Sequence, residues 1–117
     1  MGDFKKLRAW QLAKDLAVKI YKIANEGKFS NDFGFRNQIQ RSTISIASNI
    51  AEGDELGSDK QSVHFFFIAK GSAAELYTQL IIAREIGYIT ENIADELTND
   101  CNIISVMLRK LIQNRSR

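Results

Sequence analysis

Gln38-Ile39-Gln40-Arg41-Ser42-Thr43-Ile44-Ser45-Ile46-Ala47-Ser48-Asn49-Ile50-Ala51-Glu52-Gly53 is the stretch that decides the fold. At about 100° per residue, Phe35, Ile39, Thr43, Ile46, Ala47 and Ile50 gather on one side of a helix, with Ile44 and Ala51 at the edge. That is the stripe of a helix packed on a core. The other side carries Gln38, Arg41, Ser42, Ser45, Ser48, Asn49 and Glu52. Ser and Asn are poor helix-interior residues because their side chains compete for backbone hydrogen bonds. Such a face is either solvated or a polar seam against another helix or subunit. Gly53 is expected to end the helix in the left-handed conformation that glycine adopts at least cost.

Upstream, a first helix is expected from about Phe4 to Asn25, capped by Asp3. It carries two apolar stripes. One is Ala9, Leu12, Ala13, Leu16, Ile20, Ile23 and Ala24; the other is Leu7, Trp10, Lys14, Val18 and Tyr21. Gly27 ends it, Lys28 to Gly34 read as a loop, and Asn31 or Asp32 caps a second helix running from about Asp32 to Glu52. A short acidic loop, Gly53 to Gly57, follows. Ser58-Asp59-Lys60-Gln61 fits a capping box and opens a third helix that runs to about Ile86. Its stripes are Phe65, Ala69, Ser72, Leu76, Leu80 and Ala83, and, at heptad spacing, Val63, Phe67, Lys70, Ala74, Tyr77 and Ile81. Gly71 and Ser72 lower helix propensity and make sense where a neighbouring helix comes close. Gly87 closes this helix and Thr90 caps a fourth, to about Gln113. Ile93, Leu97, Cys101, Ile104, Leu108 and Leu111 face inward on it.

Residues 1–117 read as one domain, and the absence of proline suits a chain that is nearly all helix. Short connections make neighbours antiparallel, so the expected fold is all-α, an up-down-up-down four-helix bundle. Both termini and the Gly53–Gly57 loop then share one end. Lys5, Lys6, Arg8, Arg109, Lys110, Arg115 and Arg117 lie there near Glu52, Asp54, Glu55 and Asp59, as charge compensation or as a binding patch. The same register sets Arg36 level with Glu75, and the two are expected to pair. In a four-helix bundle each helix needs one stripe for the core. The second stripes would leave large apolar patches in water. Leu7, Trp10, Tyr21, Val63, Phe67, Tyr77 and Ile81 are therefore expected between subunits of a homo-oligomer.

Chemistry is sparse. His64 is the lone histidine and Cys101 the lone cysteine, so zinc-ligand spacing is absent. No Gly-x-Ser-x-Gly, phosphate-cradling glycine loop or Glu-x-x-His pair occurs. Glu52, Glu75 and Glu85 alone do not make a metal box. No catalytic residue, metal or cofactor is expected. A single cysteine, a polar N-terminus and no apolar run near the length of a membrane span point to a cytoplasmic protein without membrane association.

Net charge is only +2, but it is unevenly spread. Residues 1–42 hold nine Lys/Arg against four Asp/Glu, 43–100 hold three against ten, and 101–117 hold four against none. Lys19, Lys22, Lys28, Arg36 and Arg41 fall on the first helix, the first loop and the second helix. They are the candidate contacts to RNA or DNA phosphates, alongside the alternative of a solvated face. Symmetric assembly would repeat the patch and sum its field.

Several segments resemble the bacterial four-helix-bundle proteins encoded in intervening sequences of 23S rRNA genes, often labelled ribosomal. They are Leu7-Arg8-Ala9-Trp10-Gln11-Leu12-Ala13, Gln38 to Arg41 with Ser45 to Gly53, Phe66-Phe67-Ile68-Ala69-Lys70-Gly71-Ser72-Ala73-Ala74-Glu75-Leu76, and Gly87-Tyr88-Ile89. The family often has proline in the first loop and within the Ser-Ile-x-x-Asn-Ile segment, where this chain has Phe29-Ser30 and Ile46-Ala47-Ser48. It also often has a basic residue soon after the Glu-Gly, where this chain has Asp54-Glu55-Leu56. The resemblance implies a bundle assembled as a ring, with a pentamer favoured. The chain is also similar to the accessory protein of diversity-generating retroelements. That similarity implies nucleic acid and a protein partner, a reverse transcriptase, though this chain is less basic. The expected function is a non-enzymatic oligomeric binding module acting on RNA or DNA. The alternative is a protein-interaction scaffold without nucleic acid.

Overall fold

The structure, a computed structural model, describes residues 3–56 and 58–116. Its described residues are helical with short connections. A single 3-10 turn, Phe4–Lys6, precedes α1 (Arg8–Ala24). The short α2 (Gly27–Asn31) follows, then α3 (Phe33–Glu55), α4 (Asp59–Glu85) and α5 (Glu91–Arg115). The long helices start at side-chain caps. Asp32 accepts from Phe35 N, Ser58 from Gln61 N and Thr90 from Ile93 N, each at 3.2 Å. The Ser58 hydroxyl also lies 3.2 Å from Gln61 Oε1, so the expected cap is formed by those two residues. At the far end of α4, Tyr88 N bonds Ala83 O and Gly87 N bonds Arg84 O, with Gly87 at φ +82°. That bonding ends a helix in a left-handed residue, a conformation glycine takes without a Cβ clash.

The four long helices form the expected bundle, 45 Å long and 20 Å across. α1 packs on α3 and more loosely on α5, and α4 packs on α3 and α5. α1 and α4 do not meet and lie on a diagonal. The core stripes interlock along the axis. Leu16, Ile20, Ile39, Ile46, Ile50, Leu76, Leu80, Leu97, Ile104 and Leu108 are all buried there. Each is worth about 1.5–3 kcal/mol of transfer free energy.

Four readings are corrected by the packing. Asp3 does not cap α1: the chain breaks at an extended Leu7, and Phe4 lies edge-on against Trp10 at 5.2 Å. The Lys28–Gly34 loop is helical over most of its length, because α2 carries Phe29 into the core. The Phe29 ring stacks on Phe35 at 5.4 Å and meets Tyr88 at 5.3 Å. On α4 it is Phe66, not Phe65, that is fully buried. The stripe Ala69, Ala73, Leu76, Leu80 continues backward through Phe66 and Ser62.

The fourth correction is Gly53. It does not end the helix; α3 continues to Glu55, and Gly53 has no positive φ. Gly53 lies three residues beyond Ile50, on the same stripe, and is buried. A Cβ there would stand 2.7 Å from the Phe66 ring and 3.2 Å from the Ser62 carbonyl oxygen. The glycine is a clearance that lets α4 press against α3. The next residue, Asp54, is also buried, and Arg115 Nη2 donates to its Oδ1 at 3.0 Å. Arg115 Nη1 donates to Ser62 Oγ at 3.1 Å, and the guanidinium lies 5.4 Å over the Phe66 ring. Arg115–Asp54 is the one ion pair of the expected basic end among the described residues. Arg117 and Gly57 lie outside the described residues.

Candidate interaction surfaces

The polar face of α3 divides: Gln38, Arg41, Ser48 and Glu52 are exposed, while Ser42, Ser45 and Asn49 form a seam inside the chain. Ser42 Oγ lies 2.6 Å from Glu75 Oε1 and 3.0 Å from Gln38 O, sharing its one proton between them. One turn on, Ser45 Oγ and Ser72 Oγ are 2.9 Å apart, and Asn49 Nδ2 donates to Ser45 O at 2.8 Å. Three residues forward on α3 match three backward on α4, the antiparallel register. Ser72 thus meets the close neighbour expected of it, whereas Gly71 is exposed with open space at its Cβ position. Ser48 is exposed on the other flank of α3, toward α1.

The seam also decides Glu75. Among the described residues it forms no ion pair with Arg36, contrary to expectation. Arg36 turns back along its own end of the chain instead. Its Nη1 donates to Ser30 O at 2.9 Å and its guanidinium lies 4.9 Å over the exposed Phe33 ring. The helical α2 supplies that carbonyl, which a loop reading could not place.

Two of the five candidate phosphate contacts have partners within the chain. Lys19 faces α5, with its Nζ 3.1 Å from Asp100 Oδ2 and 3.3 Å from Glu96 Oε2. The hydrogen bond to Asp100, and then that to Glu96, raises its pKa above the ordinary lysine value, so it is a charged strut between helices. Arg36 is held as above. Lys22, Lys28 and Arg41 are exposed, and among the described residues none of them forms an ion pair. Lys14, near Lys22, is 2.7 Å from Asp15 Oδ1 and holds that carboxyl below its usual range.

The expected subunit-facing residues also divide. Leu7, Trp10 and Val63 are half-buried and pack against the chain's own core. Tyr21, Phe67 and Tyr77 are exposed and Ile81 is half-buried. Tyr21 belongs to a groove between α1 and α3, with Val18, Ile44 and Ala47. Tyr77 lines another between α4 and α5, with Lys70, Cys101, Asn102 and Ser105. Ile68, Ile82, Ile86, Ile103 and Val106 are exposed too and were outside the predicted set. For Ile68 and Ile82 the signal was available: on α4, apolar residues point in every direction.

His64 is exposed, edge-on to Phe65 at 5.4 Å. Burial pushes the Cys101 thiol up to about 12, so it is a poor nucleophile at neutral pH. Among the described residues no group of three His, Cys, Asp or Glu could hold a metal ion, and no helix is long and apolar enough to cross a membrane.

A family model described as 23S rRNA-intervening sequence protein matches residues 5–110. Among solved structures, one similar to this chain is the crystal structure of a protein with unknown function from the S23 ribosomal protein family, from Bacteroides thetaiotaomicron VPI-5482. The two are 27% identical and superpose with a TM-score of 0.82, covering 89% of this chain and 97% of that one. No curated protein matches the chain.

Proposed function

The chain belongs to the 23S rRNA-intervening sequence protein family, and from that premise we propose that it acts as a non-enzymatic, self-assembling module that contacts RNA or DNA through basic surfaces. The observation that carries this reading is the exposure of Lys22, Lys28 and Arg41 with no ion pair among the described residues. Five copies in a ring would repeat these cations around an axis and deepen the potential at each phosphate. Contacts of this kind give affinity with little sequence readout and weaken as salt rises.

The test is binding of the purified protein to labelled structured RNA and to duplex DNA, at low and near-physiological salt. Binding that falls with salt, and falls again in Lys28→Glu and Arg41→Glu, supports the reading. No binding at low salt rejects it. A second reading, a protein-interaction scaffold, is favoured by the engagement of Lys19 and Arg36 within the fold. It is what remains in that event, and pull-down would seek its partner.

A further inference from the structure

Among the described residues, Phe33 is the most exposed large apolar side chain, at 64%. It is not a loose end. It opens α3 directly after the Asp32 cap, so its backbone is set in the first turn of a capped helix. The Arg36 guanidinium lies over one face of its ring, and that guanidinium is itself fixed by the bond from Nη1 to Ser30 O. With one face covered in this way, exposure of that size leaves the other face to water. A guanidinium carries five N–H donors, and among the described residues Ser30 O is the one acceptor that Arg36 meets.

The helix face leading away from the ring is polar and cationic. Asn37 and Arg41 follow Phe33 at four and eight residues, on the same side of α3, and all three are exposed. Lys28 on α2 is exposed at the same end of the bundle. No Asp or Glu occurs from Phe33 to Ala51. Asp32, just before the ring, has both oxygens engaged, one by Phe35 N and the other by the Tyr88 hydroxyl. Glu26, at the start of α2, is the one other carboxylate of residues 26–51, against Lys28, Arg36 and Arg41. A pinned aromatic ring among cations suits a ligand that is anionic and also has a flat apolar part, as a nucleotide does.

We propose that this end of the molecule is a site for single-stranded RNA, with an unpaired base stacked on the open face of Phe33 and the flanking phosphates on Lys28, Arg36 and Arg41. This rests on the nucleic-acid reading above and specifies its substrate. A base within a duplex is already stacked on both faces, whereas a free one stacks on any aromatic ring that the protein surface offers. Arg41 and Lys28 supply affinity to any strand; Phe33 separates the unpaired strand from the paired one. Asn37, one turn from the ring, has both a donor and an acceptor for a ribose 2′-hydroxyl, the group that separates RNA from DNA.

The test is fluorescence anisotropy at low salt with three probes: a short unstructured RNA, the same RNA annealed to its complement, and the single-stranded DNA of that sequence. The RNA single strand is expected to bind tightest. Phe33→Ala is expected to weaken it about 10-fold, the worth of one stacked base, and to leave duplex binding unchanged. That variant removes no cation, so the slope of affinity against salt stays as it was, whereas Arg41→Ala is expected to flatten the slope by about one for every probe. Phe33→Trp keeps a stacking face and is expected to keep the affinity. Phe33 is exposed, so circular dichroism and melting of its variants are expected to match the wild type. Equal binding of RNA single strand and duplex, equal binding of the DNA strand, or a Phe33→Ala protein with undiminished RNA affinity would each overturn the proposal while the nucleic-acid reading stands. A smaller particle by light scattering in Phe33→Ala would overturn it too, since the ring then belongs to a subunit contact. No binding of any probe removes both.

Discussion

The two ends of the bundle do the same work with different chemistry. At one, the α3–α4 connection is tied to the last turn of α5 by Arg115, which reaches Asp54, Ser62 and the Phe66 ring at once. At the other, α2 and the α4–α5 connection are held by the rings of Phe29, Phe35 and Tyr88, with the Tyr88 hydroxyl donating to Asp32 Oδ2 at 2.8 Å. The charged end holds a buried carboxylate in the last turn of a helix, where the dipole disfavours it. It is stable only while the guanidinium is there. The aromatic end depends on filled volume. One end is sensitive to a missing charge, the other to a missing ring.

The largest test of that contrast is Phe29→Ala. Emptying a fully buried aromatic site is expected to cost about 3–5 kcal/mol in urea unfolding, and a loss under about 1 kcal/mol would mean α2 is dispensable. Arg115→Ala comes next. Arg115 is partly exposed, which places the loss at about 2–3 kcal/mol, below the figure for a fully buried pair. If the cause is the stranded carboxylate, the double variant Asp54→Leu with Arg115→Met should be more stable than Arg115→Ala alone. Gly53→Ala sharpens the same end: helix propensity favours it by about 1 kcal/mol. Overpacking against Phe66 opposes it by about 1–3 kcal/mol, and a net loss is expected. A net gain would show that the ring moves aside freely.

The smallest effect is one of pH, and it falls on the aromatic end. The hydrogen bond to Asp32 raises the Tyr88 pKa above 10, so the folded state holds that proton more tightly than the unfolded one. Its contribution is complete below pH 10 and is lost as pH rises through the raised value. Cys101 has the same sign, its contribution being complete below about 9 and lost on the way to about 12. Melting temperature is thus expected to fall on the alkaline side, less steeply in Tyr88→Phe. Parallel curves for the two proteins would count against the Asp32 bond.

The architecture was legible because its signals are periodic. The core stripes of α1, α3 and α5, the later part of that of α4, the Ser58 and Thr90 caps and the Gly87 stop were readable from spacing and residue type; at the start of α4 the stripe was placed on Phe65 and Ser72 where Phe66 and Ala73 are buried. α2 was not, since five residues are too few to show a period. Gly53 was misread because glycine serves two purposes. Its place three residues after Ile50 on the core stripe was the clue that it clears space for a neighbour. The polar face of α3 left two readings open, and only the facing Ser72 and Glu75 turn part of it into an internal seam. Of the candidate surfaces less was legible. Whether a lysine is free depends on which carboxylate the fold brings to it, and the 81-residue separation of Lys19 from Asp100 is invisible to local pattern. Leu7, Trp10 and Val63 look like an outer stripe on a wheel, but partial burial against the chain's own core depends on how the helices close.

The bundle is also unevenly sewn around its circumference. α1 is bonded to the rest through its broad contact with α3, while toward α5 it packs loosely and leans on the Lys19 strut to Glu96 and Asp100. That side is the fold's hinge line. In the language of amide exchange, α1 is expected to part from α5 while the broader α3–α4 and α4–α5 contacts stay closed. Because the strut is ionic and partly exposed, added salt loosens this motion before it touches the global melt.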